Sequence, residues 1–361
     1  MCHSRGERGS GGALVVRKKR GVAGVRRADV AALAGVSVAT VSYVLNDSVK
    51  LPEETRLRVL RAASELNYRP NHVARSLATS RTMQLAIVLN NISNPIYADL
   101  ILGFENEAIR HDYFVTICTG SRNVDEYFDN FAARGMDGLF VEVLPDKYHA
   151  ERLVGVLDAG IPVVAFGDPG LERGRISIVE NDYADAMRQA VGRLAELGHR
   201  EIGYVSGLAR SQRSDSRIAS FRDAMRERLN RTSPPVVAPR TSTLTEIHDG
   251  ERLGAQALQR YPALTAVVCT NDLMAIGTMR AAVAAGRRVP DDLSVVGIDD
   301  AYVGTLCSPA LTTLAADYRA TGVRAFRLLY ADIAHGERSR VRCPLTLVQR
   351  GSTATAARPS A

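Results

Sequence analysis

The sequence predicts a small all-α head followed by a doubly wound α/β body of two subdomains, and three observations lead to that reading. The first is where the charge lies. Residues 1–81 hold 15 Lys and Arg against 6 Asp and Glu, a net of +9, whereas the rest of the 361-residue chain holds 31 basic and 33 acidic side chains. The second is periodicity: apolar residues recur at helical spacing from Val25 to Tyr68, and from about residue 83 short continuous apolar runs alternate with helical stretches. The third is size, since 361 residues with 46% hydrophobic composition exceed one ordinary domain and can fill several cores.

Taken in order, residues 1–24 are Gly- and Arg-rich without an apolar period. They read as a disordered basic arm, or as sequence upstream of the true start. Their four-residue apolar patch is too short for a signal peptide, so no export is expected. Residues 25–69 form the helical head. In "RADVAALAG", Val30, Leu33 and Ala34 share a face and Gly35 is placed to end the helix. Ser37 is a good N-cap for a second helix carrying Val38, Val41, Val44 and Leu45. In "LPEETRLRVLRAASELNYRP", Pro52 sits in the first turn, Glu53 and Glu54 lie near the positive helix end, and Leu60, Ala63 and Leu66 point inward. Residues 70–82, polar and following Pro70, read as a hinge and linker.

The body opens with "LAIVLNN" and continues through "YFVTICTG", "DGLFVEVL", "IPVVAFGD", "EIGYVSG", "LTAVVCTND" and "LSVVGIDD". Each run is apolar throughout and ends in polar residues or Gly, as buried parallel strands in βαβ units do. Ligand groups then project from the carboxyl ends of the strands. The five cysteines are widely separated with no CxxC pair, and are expected to be reduced packing residues. No apolar run reaches the roughly 20 residues of a membrane span. Histidines show no metal-ligand spacing, His199 reads as a helix-end residue, and "GERGSGG" neither follows a strand nor opens a helix. No nucleophile elbow or Walker motif occurs. An enzyme is therefore not expected, nor is a cofactor or a metal.

Function turns on "VSVATVSYVLN", residues 36–46, which has no charged side chain but carries hydroxyls through an apolar frame. Two short helices joined by the tight "AGVS" turn match a helix-turn-helix, whose second helix enters the major groove. Ser37, Thr40, Ser42 and Asn46 can donate to phosphate oxygens, while Val38, Ala39 and Tyr43 can touch base edges or thymine methyls. A plain helical bundle with solvated polar positions fits the same periodicity.

"ADVAALAGVSVATVSYVLN" and "ETRLRVLRAASELNYRPNHVARSLAT" resemble the DNA-binding head and hinge of the lactose-repressor (LacI/GalR) family. The likeness continues in order through "NPIYADLILGFENEA", "ELGHREIGYVSG", "TNDLMAIGTMRA", "VPDDLSVVGIDD", "SPALTTL" and "LVQRGSTA", covering about residues 28–356. It implies a helix-turn-helix head on a two-lobed, periplasmic-binding-protein-like core at 83–357. The N-lobe would span about 83–180 and 313–339, the C-lobe about 181–312 and 340–357, with 358–361 a tail. It also implies a cytoplasmic homodimer, usually a repressor, that binds a near-palindromic operator and answers a small-molecule effector, a sugar or sugar derivative by default. Val38, Ala39 and Tyr43 fall on base-reading positions, and Ser37, Thr40, Ser42, Asn46 and Tyr68 on phosphate contacts. Asn71, Ala74 and Leu77 fall in the hinge, Leu77 on a leucine that wedges into the minor groove. Effector positions match Arg217, Phe221, Asn271 and Asp299, with Asp168 and Tyr97 weaker matches.

The residues themselves agree in part. Asp299 and Asn271 each follow an apolar strand, and an Arg beside Asp and Asn suits ring hydroxyls. Strand-end caps and a salt bridge would use the same residues. The chain departs from the family in Leu51, where Ser or Thr is usual before the third helix, and in a short "GSRNVDEYFDNF" stretch. Only "TAARPSA" follows "LVQRGSTA", leaving no leucine-heptad tail and favouring a dimer over a tetramer. Two other classes remain in view: a transporter-feeding binding protein, opposed by the basic head and the missing signal peptide, and a sugar or nucleotide enzyme, opposed by the lack of a nucleophile or metal set.

Overall fold

The structure, a computed structural model, describes residues 25–45, 49–68, 81–89, 91–119, 124–143, 150–209 and 216–356. The basic arm, most of the hinge, the tail and the candidates Asn46, Asn71, Ala74 and Leu77 lie outside these residues. The chain forms two compact units, one ending at Thr79 and the other beginning at Ser80.

The described residues of the first unit form three helices: α1 Arg27–Ala34, α2 Val38–Leu45 and α3 Glu53–Glu65. Gly35 ends α1 at φ 63°, where its backbone N–H bonds back to the helix and a side chain would be strained. The chain leaves that turn so that α1 and α2 meet at 102°. Val30, Ala31, Ala34, Val41, Val44, Val59, Ala62 and Ala63 fill the core, with Leu66 and Tyr68 packed against it. Two inward assignments are corrected: Leu33 is 48% and Leu60 40% exposed. At 100° per residue each lies roughly 100° round its helix from the centre of the buried arc, and the smaller Ala31 and Ala62 face the core instead. Pro52 stands one residue before α3, as its N-cap.

The second unit contains two six-stranded sheets with helices on both faces. The first sheet has the order β11-β5-β4-β3-β1-β2, all parallel, from β1 Gln84–Leu89, β2 Phe114–Thr119, β3 Gly138–Glu142, β4 Val163–Phe166, β5 Ser177–Asn181 and β11 Arg340–Cys343. The second has the order β12-β10-β9-β8-β6-β7, from β6 Ile202–Val205, β7 Val236–Val237, β8 Ala266–Cys269, β9 Ser294–Asp299, β10 Thr312–Ala316 and β12 Leu345–Val348. Only β12 runs antiparallel, against β10. The seven apolar runs are β1, β2, β3, β4, β6, β8 and β9. Of the other five, β7, β11 and β12 lie at sheet edges, and β5 and β10 carry polar residues within the strand, so none shows a continuous apolar run.

Strand pairing moves the lobe boundaries. Thr312–Ala316 pairs with β9 and Arg340–Cys343 with β5, so residues 313–316 belong to the second lobe and 340–343 to the first, opposite to the sequence expectation. The chain crosses between lobes near residues 182, 317 and 344. The helices of the first lobe are α4 Ile96–Arg110, α5 Val124–Arg134, α6 Ala150–Asp158 and α11 Tyr318–His335; those of the second are α7 Tyr183–Glu196, α8 Arg217–Leu229, α9 Ile247–Arg260 and α10 Asp272–Ala284. α4 crosses α11 so closely that a Cβ on Gly103 would collide with the Arg319 carbonyl, and one on Gly322 with that of Leu100. This contact fixes the amino-terminal ends of both helices, where Tyr97 and Tyr318 reside.

Candidate DNA-reading helix and ligand cleft

On α2 the polar groups are arranged by the cap. Ser37 Oγ accepts the Thr40 backbone N–H at 3.0 Å and lies 2.8 Å from the Thr40 hydroxyl, so the two hydroxyls are clustered at the helix start. Val38 and Tyr43 are 48% and 44% exposed, and Ala39 is exposed, while Val41 and Val44 anchor the opposite face. Ser42 is half-buried and accepts from Arg27 at 3.4 Å, a tie between the two helices that the sequence does not reveal. Tyr68 is half-buried against the helical core. The described part of this unit holds six Lys and Arg against four Asp and Glu, so most of the basic surplus lies in the flanking segments. An exposed, uncharged helix face with hydroxyls at its start therefore distinguishes the unit more sharply than charge.

In the second unit, the carboxyl ends of the strands of both lobes converge on one cleft. Asn91, Asn94, Tyr97, Glu142, Phe166 and Tyr318 line it from the first lobe. Tyr183, Arg217, Thr245, Thr270, Asn271 and Asp299 line it from the second. The cavity measures about 70 Å³, smaller than the roughly 300–1,000 Å³ of ordinary ligand pockets.

Asp299 is the centre of the polar network. Its two carboxylate oxygens accept from the Asn94 amide at 3.2 Å and from the Tyr318 hydroxyl, both across the cleft. Burial lifts its pKa to about 6, against the stabilising hydrogen bonds from Tyr318 and Asn94 and the charge of Arg217. Asp299 and Asp300 have φ of 120° and 62°, a region that favours glycine, and strain of this kind is characteristic of functional sites. The turn is held by Arg350 paired with Asp300 and by the buried Asp272, which accepts from the Ala301 N–H at 2.7 Å and the Thr313 hydroxyl at 2.6 Å. Burial first, and then the neighbouring Asp299, raise the Asp272 pKa well above the usual carboxylate range.

Tyr97 donates its hydroxyl to the buried Glu142, and burial pushes the Tyr97 pKa up. Arg217 begins α8, donates to the Thr270 carbonyl at 3.1 Å and lies 4.8 Å from the centre of the Tyr183 ring. Asn271 lines the cleft and is also the N-cap of α10. It accepts from the Met274 N–H at 2.8 Å and donates to Thr245 at 3.0 and 3.1 Å.

Tyr97, Arg217, Asn271 and Asp299 are thus brought together, and two expected effector residues are not. Phe221 is fully buried one turn below Arg217, packed on Tyr204 at 5.3 Å between ring centres. Asp168 lies outside the cleft: Arg340 donates to it at 2.7 Å, and it accepts from the Gly170 N–H. Gly167, at φ 95°, turns the chain after Phe166 and carries Asp168 away. Glu142 was missed, although it ends the run "GLFVE" by the same strand-end rule that singled out Asp299. Tyr318 and Tyr183 had no such signal, because they open helices after strands with short or alternating apolar patterns. His199 stands just past the end of α7, its backbone N–H bonded to the Leu194 carbonyl, and is buried: its ring bridges Thr265 and the Ala354 carbonyl, and burial lowers its pKa. The cysteines Cys118, Cys269, Cys307 and Cys343 are free, and burial raises Cys269 to about 12.

A helix-turn-helix unit followed by a two-lobed body with a polar interlobe cleft defines a ligand-sensing class of bacterial transcription regulator. The profile of bacterial regulatory proteins of the lacI family matches residues 28–71, and that of the periplasmic binding protein-like domain matches residues 191–353. The HTH-type transcriptional repressor PurR of Histophilus somni (strain 129Pt) is 30% identical over 309 residues, 85% of this chain and 91% of its own. An HTH-type regulator in the aml 5′ region of Streptomyces limosus is 34% identical over 341 residues, 91% of this chain and 94% of its own. Among solved structures, the Lac repressor dimer bound to operator and the anti-inducer ONPF is similar with a TM-score of 0.75 at 26% identity, covering 91% of this chain and 99% of that one. The transcriptional regulator CelR in complex with cellobiose gives 0.66 at 29% identity over the same shares. The chain belongs to the lacI family of bacterial regulatory proteins.

Proposed function

We propose that the protein is a cytoplasmic, dimeric repressor that binds a near-palindromic operator through α2 and releases or tightens its hold when a sugar occupies the cleft. The observation that carries the DNA part is the exposed face of α2, where Val38, Ala39 and Tyr43 stand free of charge beside the hydroxyls of Ser37 and Thr40. Apolar and hydroxyl groups suit thymine methyls and phosphate oxygens. In this reading Ser42, Asn46 and Tyr68 add phosphate contacts, and Asn71, Ala74 and Leu77 engage the minor groove. Relatives that are repressors, and a similar structure bound to operator as a dimer, support it.

The effector part rests on the cleft. Carboxylates, amides, one guanidinium and aromatic walls are the usual complement for a hydroxylated ring, and one similar structure holds cellobiose. No catalytic step is assigned, because the cleft residues are engaged with one another as binding and capping groups. An effector that favours one lobe arrangement by 1 to 3 kcal/mol shifts operator affinity by roughly 5- to 150-fold. A mobility-shift titration on the gene's own upstream DNA at about 150 mM salt, with and without a sugar panel, tests both parts. The reading expects a preference over scrambled DNA of roughly 1,000-fold or more, altered by at least one sugar. Equal affinity for both DNAs would overturn it.

A further inference from the structure

We propose that Glu142, acting with Asp299, makes the cleft reject anionic ligands, so that the effector is an uncharged hydroxylated compound and not a sugar phosphate or sugar acid. The inference rests on reading the cleft as a sugar site and narrows what that site accepts. Glu142 and Asp299 are both buried and line the same small cavity, one from each lobe. Among the described residues that line it, Arg217 is the sole cation, and its guanidinium is already committed to the Thr270 carbonyl and the Tyr183 ring. The remaining polar lining is amide, hydroxyl and phenol, donors and acceptors that neutralise no charge.

The two acids are held in place by groups that favour their ionised forms. Tyr97 donates to Glu142, and Asn94 and Tyr318 donate to Asp299. A ligand hydroxyl can donate to either carboxylate. A ligand phosphate or carboxylate can donate to neither and would be repelled by both. Two like charges about 6 Å apart at an effective dielectric constant of ~20 repel strongly enough to lower affinity roughly 100-fold. Glu142 is then a specificity residue: its charge decides which ligands enter, while Tyr97 and the strand end fix its position.

The test is calorimetric titration of the full-length protein at pH 7.5 with neutral sugars, each beside its uronate, which changes charge with little change of size, and its phosphate ester. The expected result is that at least one neutral sugar binds and that its uronate and phosphate bind roughly 100-fold more weakly. Glu142→Gln, its folding checked by thermal melting, should narrow the gap between the neutral sugar and its uronate about tenfold, whatever it costs the neutral sugar itself. Should Glu142→Gln lose the neutral sugar as well, the wild-type ratio decides alone. A uronate or phosphate that binds the wild type as tightly as its parent overturns the charge rule and leaves the sugar reading intact. If no sugar of any charge binds, the sugar reading itself falls, and this inference with it.

Discussion

The helical head and the interlobe cleft recognise their partners in opposite ways. On α2 the candidate base-reading groups Val38, Ala39 and Tyr43 stand outside the core, uncharged and exposed, and what orders them is a Ser37 cap and a buried Val41–Val44 stripe. In the cleft the candidate groups are buried or half-buried and already hydrogen-bonded, Asp299 to Asn94 and Tyr318 of the other lobe, so a ligand that donates to Asp299 competes with those bonds. An exposed face gains affinity from contacts added on binding. A closed network gains it from exchanging one set of hydrogen bonds for another, which makes it selective but sensitive to each member.

The sharpest break of that contrast is a charge placed on the exposed face. Val38→Glu buries nothing and should leave the thermal stability of both units within about 0.5 kcal/mol of wild type. A carboxylate against the phosphate backbone or a base edge should nevertheless weaken operator binding on the order of 100-fold or more. Fluorescence anisotropy with the upstream DNA reads this directly, and unchanged affinity would remove α2 from the interface.

Next in size is Arg217→Ala, which deletes the described cleft's guanidinium and its bond to Thr270. Loss of a charge-assisted hydrogen bond predicts effector affinity about 30-fold weaker, with operator affinity in the absence of effector unchanged. Parallel losses of both activities would mean that the two recognition regions are not separable.

A smaller effect follows from acid. Because the free Asp299 titrates at about 6 and a ligand hydroxyl donates to its ionised form, effector affinity should fall as the pH drops through that value. Affinity for a neutral sugar at pH 5 should be about tenfold below that at pH 7.5, and Asp299→Asn should flatten the dependence. A profile that is already flat in the wild type would show that the ligand does not use this carboxylate.

How much of this could be read from the sequence differs between the two regions. The helix-turn-helix depends on local signals, a Gly at the C-cap, a Ser at the N-cap and a 3.6-residue period, and all of them are contiguous. Its errors, Leu33 and Leu60, came from assigning the larger side chain to the core where the helix phase placed Ala31 and Ala62. The cleft depends on which strand ends meet, a property of topology. Asp299 and Asn271 were legible because long apolar runs lead into them. Tyr318 and the lobe crossings were not, because β10 and β12 carry polar residues within the strand and β11 pairs with β5, far back in the chain.

Asp168 offers the smallest effect and the most direct test of that lesson. By the two-residue repeat of a strand it should share the orientation of Phe166, which lines the cleft, and the family resemblance makes Asp168 a weaker effector match. Gly167 breaks the repeat with a positive φ, and Asp168 instead meets Arg340, whose guanidinium also holds Glu180 at 2.7 and 3.0 Å. Both partners of the Asp168 pair are a third or more exposed, so the pair contributes at most about 1 kcal/mol, and Asp168→Asn keeps an oxygen for the Gly170 N–H. The substitution should therefore leave effector affinity within about twofold of wild type and stability within about 0.5 kcal/mol. Phe166→Ala, two positions earlier, should weaken the effector by about 1 kcal/mol or more through loss of a cleft wall. If titration calorimetry found the order reversed, with Asp168 the more costly of the two, the strand repeat would have continued through Gly167 and the cleft would have a different wall.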